Sequence, residues 1–301
     1  MPGGNKNYTS ERFSLDLDGI RCGLIESVEG GNVSAKVISE SVSPDYFVKK
    51  HIGQLKHEDF SLRIGLSMEK KVYEWIAASW KGNQQRKDGS VIIADPKGHV
   101  KAEREFFHAL ITETTIPAMD GSSKDAAFMT LKFSPEFTRL KKGSGKVDDN
   151  LEKGKRAQKK WLPANFRLEI DGLDCARVSK VDSFTVKQAT VSEDIGVARD
   201  QIRAGKLEFP NLRITLQEFT AQSWFDWHED FVIKGNCGDD KEKNGALTFL
   251  APTLKEELAR VDFYHLGIFR ISAEKPEPQA SRNPQVVAEL YCERMEFVFY
   301  P

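Results

Sequence analysis

Ten residues near the start of the chain come back 153 positions later. Phe13-Ser-Leu-Asp-Leu-Asp-Gly-Ile-Arg-Cys22 lines up with Phe166-Arg-Leu-Glu-Ile-Asp-Gly-Leu-Asp-Cys175, with Phe, Leu, Asp, Gly and Cys identical. Four further matches keep the same order. They are Leu62-Arg-Ile-Gly-Leu66 with Leu212-Arg-Ile-Thr-Leu216, Lys81-Gly-Asn83 with Lys234-Gly-Asn236, Asp88-Gly89 with Asn244-Gly245, and Glu105-Phe-Phe-His108 with Asp262-Phe-Tyr-His265. Across the five the offset drifts only between 150 and 157 residues. Chance similarity does not stay collinear, so the chain reads as a tandem duplication of one unit. Whatever that unit folds into, the chain has to build it twice.

The length agrees with this reading. At roughly 150 residues per domain, 301 residues make two. The expected organisation is an N-terminal tail at 1–11, a first domain at 12–141, a linker at 142–164 and a second domain at 165–301. The linker holds seven Lys or Arg against Asp148, Asp149 and Glu152, a net charge of +4. Such a polar, Gly-containing stretch is expected to be solvated and semi-flexible rather than packed.

Within each copy the apolar spacing predicts mostly strands. Asp18-Gly19 between two alternating runs is a strong hairpin signal. It predicts Leu17 opposite Ile20, Leu15 opposite Cys22 and Phe13 opposite Leu24, all apolar pairs on one face. The second copy predicts Ile170 opposite Leu173 and Leu168 opposite Cys175, which makes Cys22 and Cys175 small core residues. After Ser67, a candidate cap, Met68, Val72, Trp75, Ile76 and Ser79/Trp80 recur at helical spacing. Thr220 is the matching candidate cap, with Trp224, Trp227, His228 and Phe231 on one face. Asp88-Gly89 and Asn244-Gly245 read as turns, followed by strands at 90–94 and 246–250. Further strands are expected at 105–112, 126–137, 262–271 and 286–300. Many short strands with a single helix per copy predict a mainly β (α+β) fold: two tandem antiparallel β-sandwich or barrel domains, each with one flanking α-helix.

Nothing in the sequence proposes a catalyst. Lys plus Arg number 44 against 45 Asp plus Glu, and a formal net charge of −1 removes the global electrostatic case for nucleic acid or anionic membrane. No apolar run approaches the roughly 18–20 residues of a membrane helix. Met1–Asn7 lacks the apolar core of a Sec signal, so cytoplasmic synthesis is expected. Four cysteines without a C-x-x-C pair argue against a disulfide framework or a zinc site. No nucleotide-binding, nucleophile-elbow or H-E-x-x-H motif is present, and the scattered carboxylates suggest no glycosidase pair. His108 and His265, equivalent in the repeat, have no neighbouring acid or cysteine at ligand spacing and read as structural hydrogen-bonders. No catalytic residue, metal or cofactor is expected.

The unusual segments are Ser39–His57 and its counterpart Ser192–Phe209. Loops this long inside small β domains are usually binding elements or disordered. Because positive and negative residues alternate in them, they read as protein–protein contact arms. The contact candidates are Tyr46, Phe47, Lys49, Lys50 and His51 in the first, and Arg199, Arg203 and Lys206 in the second.

The order F-x-L-x-L-D-G, E-S-V-E-G-G, K-K-H-I-G and S-L-R-I-G-L-S, followed by a helix containing Y-E-W-I, resembles the tail tube protein family of contractile-tailed phages and their injection-system relatives. The stretch from Glu105 through Pro117-Ala-Met-Asp120 to Ser134-Pro-Glu136 resembles the family's closing strands. The likeness covers about 12–140 and, more thinly, 165–191, 211–231 and 262–271; Glu274-Lys-Pro-Glu-Pro departs from the Pro-Ala-Met-Asp pattern. It implies a β-barrel-like subunit assembled as six domains per ring around a lumen, with long loops gripping the next ring. For a duplicated chain it implies either three copies closing one pseudo-hexameric ring or six copies stacking two linked layers. Implied partners are the chain itself and tube, sheath, baseplate hub or spike proteins, in a virion tail or injection-system particle whose lumen passes DNA or effectors. The alternative expectation is a non-enzymatic two-domain binding module presenting its long loops to a protein partner or cargo.

Overall fold

The computed structural model describes residues 11–41, 47–147, 161–194, 200–274 and 284–300. The first half forms β1 (Arg12–Leu17), β2 (Ile20–Ile25), β3 (Ser27–Gly30), β4 (Val33–Ser41), β5 (Val48–His57), β6 (Phe60–Ile64), helix α1 (Lys70–Trp80), β7 (Lys87–Ala94), β8 (Val100–Ile116), β9 (Met119–Asp120), β10 (Met129–Ser134) and β11 (Phe137–Lys142). The second forms β12 (Phe166–Ile170), β13 (Val178–Val181), β14 (Phe184–Asp194), β15 (Asp200–Glu208), β16 (Leu212–Gln217), helix α2 (Gln222–His228), β17 (Lys243–Leu250), β18 (Glu257–Ala273) and β19 (Gln285–Phe299). The strands follow from period-two burial: Met129, Leu131 and Phe133 of β10 face inward while Thr130, Lys132 and Ser134 do not.

Every described strand pairing is antiparallel, and the two halves share a geometry. One sheet runs β2-β1-β7-β8-β10-β6-β3, the other β12-β17-β18-β19-β16-β13-β9. β1 lies on β7 with Leu17 opposite Gly89, and β12 lies on β17 with Ile170 opposite Gly245. His108 and His265 both adopt positive φ, 52° and 57°, and each donates its backbone N–H to the residue before the paired glycine, Asp88 or Asn244. Four residues beyond each histidine the pairing with the next strand slips by one, at Thr112 against β10 and at Phe269 against β19.

Several sequence expectations need correction. The first hairpin forms, but a bulge follows its first pairs, so Leu15 faces Gly23 and Phe13 faces Ile25 rather than Cys22 and Leu24. The second hairpin does not form: β12 pairs only with β17, and Leu173 donates its backbone N–H back to Ile170 in a turn. There α2 captures the segment, with Trp224 Nε1 donating to the Asp174 carbonyl and the Asp174 N–H donating to Ser223 Oγ. Asp88-Gly89 and Asn244-Gly245 are not turns but lie inside β7 and β17. The reason is close approach, since a Cβ at Gly89 would strike the Asp16 carbonyl and the Phe106 ring, and one at Gly245 the Glu169 carbonyl. Neither helix is capped as expected: the cap positions are Glu69 and Ala221, without side-chain cap bonds. The buried face of α1 is as read, with Val72, Trp75, Ile76, Ser79 and Trp80 inward. Trp224, Trp227 and Phe231 are buried on α2 and the π-turn that continues it, whereas His228 is half-buried.

The expected linker is also more ordered at its ends. Lys142 belongs to β11, Val147 donates its N–H to the Gly98 carbonyl, and Trp161 is buried against Phe249. Residues 148–160 lie outside the described residues. The core is one hydrophobic cluster drawn from both halves. Phe60, Phe106 and Phe133 pack together, joined by Trp75. From α1, Tyr73 stacks on Phe299 with ring centroids 3.8 Å apart, and Trp80 meets Phe297 edge-on. The helix of the first half is therefore seated on the last strand of the second.

Candidate assembly surfaces

An exposed strand edge presents unpaired N–H and C=O groups, and a neighbouring strand satisfies them. Among the described residues that happens once between the halves. Lys187, Val186, Thr185 and Phe184 pair with Glu113, Thr114, Thr115 and Ile116, and Val181 and Lys180 pair with Met119 and Asp120. The register is the same at both ends, so 180–187 and 113–120 form one ladder without a slip. Thr115 and Thr185 join hydroxyls across it at 2.8 Å, and Ser183 Oγ donates to the Ile116 carbonyl at 3.0 Å. Thr114, Ile116, Phe184 and Val186 are buried along it.

Beyond the ladder, β14 and β15 continue as a hairpin arm laid on the first half. Gln84 Nε2 donates to Gln188 Oε1 at 2.9 Å, and Arg86 Nη2 donates to the Ile202 carbonyl at 2.6 Å. The Ile202 N–H donates to Glu136 Oε1 at 3.2 Å, and Arg86 and Glu136 are themselves an ion pair. Gln188 and Ile202 are buried in consequence.

The first half carries the same arm without a seat. β4 and β5 pair with each other and with no other described strand. The two arms share a bulge at one place, Gly53-Gln-Leu55 matching Gly205-Lys-Leu207. Leu207 packs on the core, whereas Leu55 is exposed, as are Val37, Ile52 and Phe47, the last at 83%. The segments read as loops are therefore hairpins. Phe47, Lys49, Lys50 and His51 lie together on the free arm, with His51 Nε2 3.7 Å from a Glu40 carboxylate oxygen. Arg203 and Lys206 lie on the seated arm, while Tyr46 and Arg199 fall outside the described residues. Of the residues that receive the arm, Glu136 belongs to the Ser134-Pro-Glu136 motif, while Gln84 and Arg86 carry no motif and stand only beside the repeated Lys81-Gly-Asn83.

Ionisable groups follow local contacts. Burial raises the Asp182 carboxyl, but hydrogen bonds and charge from Lys180 and Arg213 outweigh it, leaving the pKa below its ordinary value. Glu105 behaves likewise beside Lys141 and Arg139. Burial pushes the Cys22 and Cys175 thiols up to about 11, away from the thiolate that nucleophilic chemistry uses. Glu242, His265 and Glu293 bring their ligand atoms within 4.8 Å of one another. Both Glu242 oxygens already accept, one paired with His265 Nδ1 at 2.8 Å and the other taking the Tyr291 hydroxyl at 2.6 Å. Among the described residues no helix is long and apolar enough to cross a membrane.

Residues 9–137 match the family model of the T4-like virus tail tube protein gp19. Among solved structures, the chain is similar to the sheath–tube complex of an extracellular contractile injection system, PVC, in the extended state, at 20% identity and a TM-score of 0.39, over 44% of this chain and 88% of that one. It is similar to the PVC sheath/tube terminator at 22% identity and a TM-score of 0.38, over 47% and 97%. The tube-terminating cap of the anti-feeding prophage aligns at 12% identity and a TM-score of 0.37, over 44% and 89%. No curated protein matches the chain.

Proposed function

We propose that this protein is a structural, non-enzymatic component of a phage tail or phage-like contractile injection system. In this reading it forms a ring that continues or caps the inner tube, and its partners are tube, sheath and baseplate proteins. The chain holds two tandem tube-type units, about 12–141 and 165–301, so three chains supply the six units of one ring. The observation that carries the reading is the tail tube family match over 9–137. Supporting it, the second half reproduces the register, the left-handed histidine and the bulge of the first. A covalent pair also holds its two units at an effective concentration in the millimolar range.

Negative-stain microscopy together with native mass spectrometry tests the proposal. Ring-shaped particles of trimeric mass are expected, and six chains would instead indicate two linked layers. A chain that stays monomeric at high concentration and binds no tube or baseplate protein would overturn it.

A further inference from the structure

The junction between the two halves has a counterpart that the described residues of a single chain leave open. Strand β18 matches β8 at an offset of 157, fixed by His265 with His108 and by the shared slip at Phe269 and Thr112. The edge of β8 that receives the second half, 113–116, thus corresponds to 270–273 of β18. There β19 pairs on one side, and β17 pairs with β18 only as far as Leu266. The donor side is fixed by Asp182 and Glu26, whose N–H groups donate to the matched carbonyls of Arg213 and Arg63. Residues 183–187 therefore correspond to 27–31, and β3 is the terminal strand of its sheet.

Resting on the ring reading above, we propose that the β18 edge and the acidic surface beside it bind the β3 edge and the β4–β5 arm of a second copy of this chain. The register repeats the internal ladder: Val28 opposite Ala273 where Phe184 meets Ile116, and Glu29 opposite Ser272 where Thr185 meets Thr115.

Two independent features fit that occupant. The first is charge. The cleft made by Arg86 and Glu136 in the first half corresponds to one flanked by Glu242 and Glu293, because Tyr264 pairs with Arg294 as Phe107 pairs with Phe137. The loop 229–242 holds five acidic residues against two lysines. The described part of the free arm holds four lysines against one glutamate, and Lys50 takes the position of Ile202. The second feature is apolar surface. Leu140, exposed at 70%, corresponds to Phe297, which α1 covers inside the chain. On the second half, Phe219 and Ile233 stand exposed at 68% and 70% beside α2, the helix equivalent to α1.

Reversing the charges tests this on the full chain by sedimentation. Lys50→Glu and Glu293→Lys are exposed substitutions, so each is expected to keep the fold while weakening self-association at least about tenfold, as loss of an interface contact does. The double reversal is expected to restore it. Unchanged association in either single variant, or no rescue in the double, overturns the proposal. Independently, Val28→Cys with Ala273→Cys, in a Cys237→Ser background under copper–phenanthroline oxidation, is expected to give a covalent ladder of chains absent from either single cysteine. If that variant unfolds, the charge pair decides alone. Rings that bind tube proteins but neither cross-link nor respond to the reversals sink this interface and leave the tube reading standing. Cross-linked, rescued rings that bind no tail component sink the tube reading and leave the interface.

Discussion

Gly89 and Gly245 carry the strongest constraint that single residues impose on this fold. Each sits where a neighbouring strand's carbonyl leaves no room for a Cβ. Gly245→Val is expected to cost about 2–3 kcal/mol, the range for overpacking and backbone clash, read as a lowered urea midpoint with unchanged slope. The sequence offered both pairs, Asp88-Gly89 and Asn244-Gly245, as turn formers, because the same dipeptide serves a tight turn and a close strand crossing. Only the partner strand tells them apart. His108 and His265 illustrate the same limit: their repetition was legible, but their left-handed backbone was not, since residues other than glycine seldom adopt it. His108→Val is expected to lower stability by about 1–2 kcal/mol, because a β-branched side chain tolerates that region worse. His108→Gly, the matching control in thermal unfolding, should lose much less. A third outcome concerns acid. The Asp182 and Glu105 carboxyls lie below their ordinary pKa in the folded chain. Their contribution is therefore fully present above about pH 4 and fades as pH falls through the folded values. Asp182→Asn should flatten the acid limb of a stability–pH curve, and an unaltered limb would mean the Lys180–Arg213 contacts contribute nothing.

At the scale of elements, one arm is seated and the other is not. Ile202 of the seated arm is buried and its backbone N–H donates to Glu136, whereas Ile52 on the free arm touches solvent. In dilute, monomeric protein Ile202→Ala is expected to cost about 2–3 kcal/mol, and Ile52→Ala to stay within about 0.5 kcal/mol. Chemical denaturation of both variants checks the contrast; equal costs would mean that the free arm is packed in solution. The helical periodicity through Trp75 and Trp224 was legible because an amphipathic stripe is a local signal. The arms were not, since the apolar residues of Ser39–His57, among them Phe47, Val48, Ile52 and Leu55, keep no two-residue period to announce a strand. The second hairpin was misread for a related reason: Ile170-Asp-Gly-Leu173 has the pattern, but α2 takes the chain away before a second strand can form.

For the whole molecule, the proposed repetition of two units does not say how they are joined. Their pairing is long-range, between 180–187 and 113–120, and no local pattern encodes which edge meets which. Three links hold them: that ladder, the seated arm, and the aromatic face of α1 on Phe297 and Phe299. A core cluster common to both halves should make unfolding one cooperative event, since each half covers part of the other's apolar surface, as α1 covers Phe297 and Phe299. Thr185→Pro removes one donor in the middle of the ladder and leaves both hydrophobic interiors untouched. Hydrogen exchange is then expected to rise together at 113–120 and 180–187, and the single transition to broaden or divide. Were exchange to rise only at 180–187, with one sharp transition retained, α1 and the arm would be the true fasteners, and the strand edges merely neighbours.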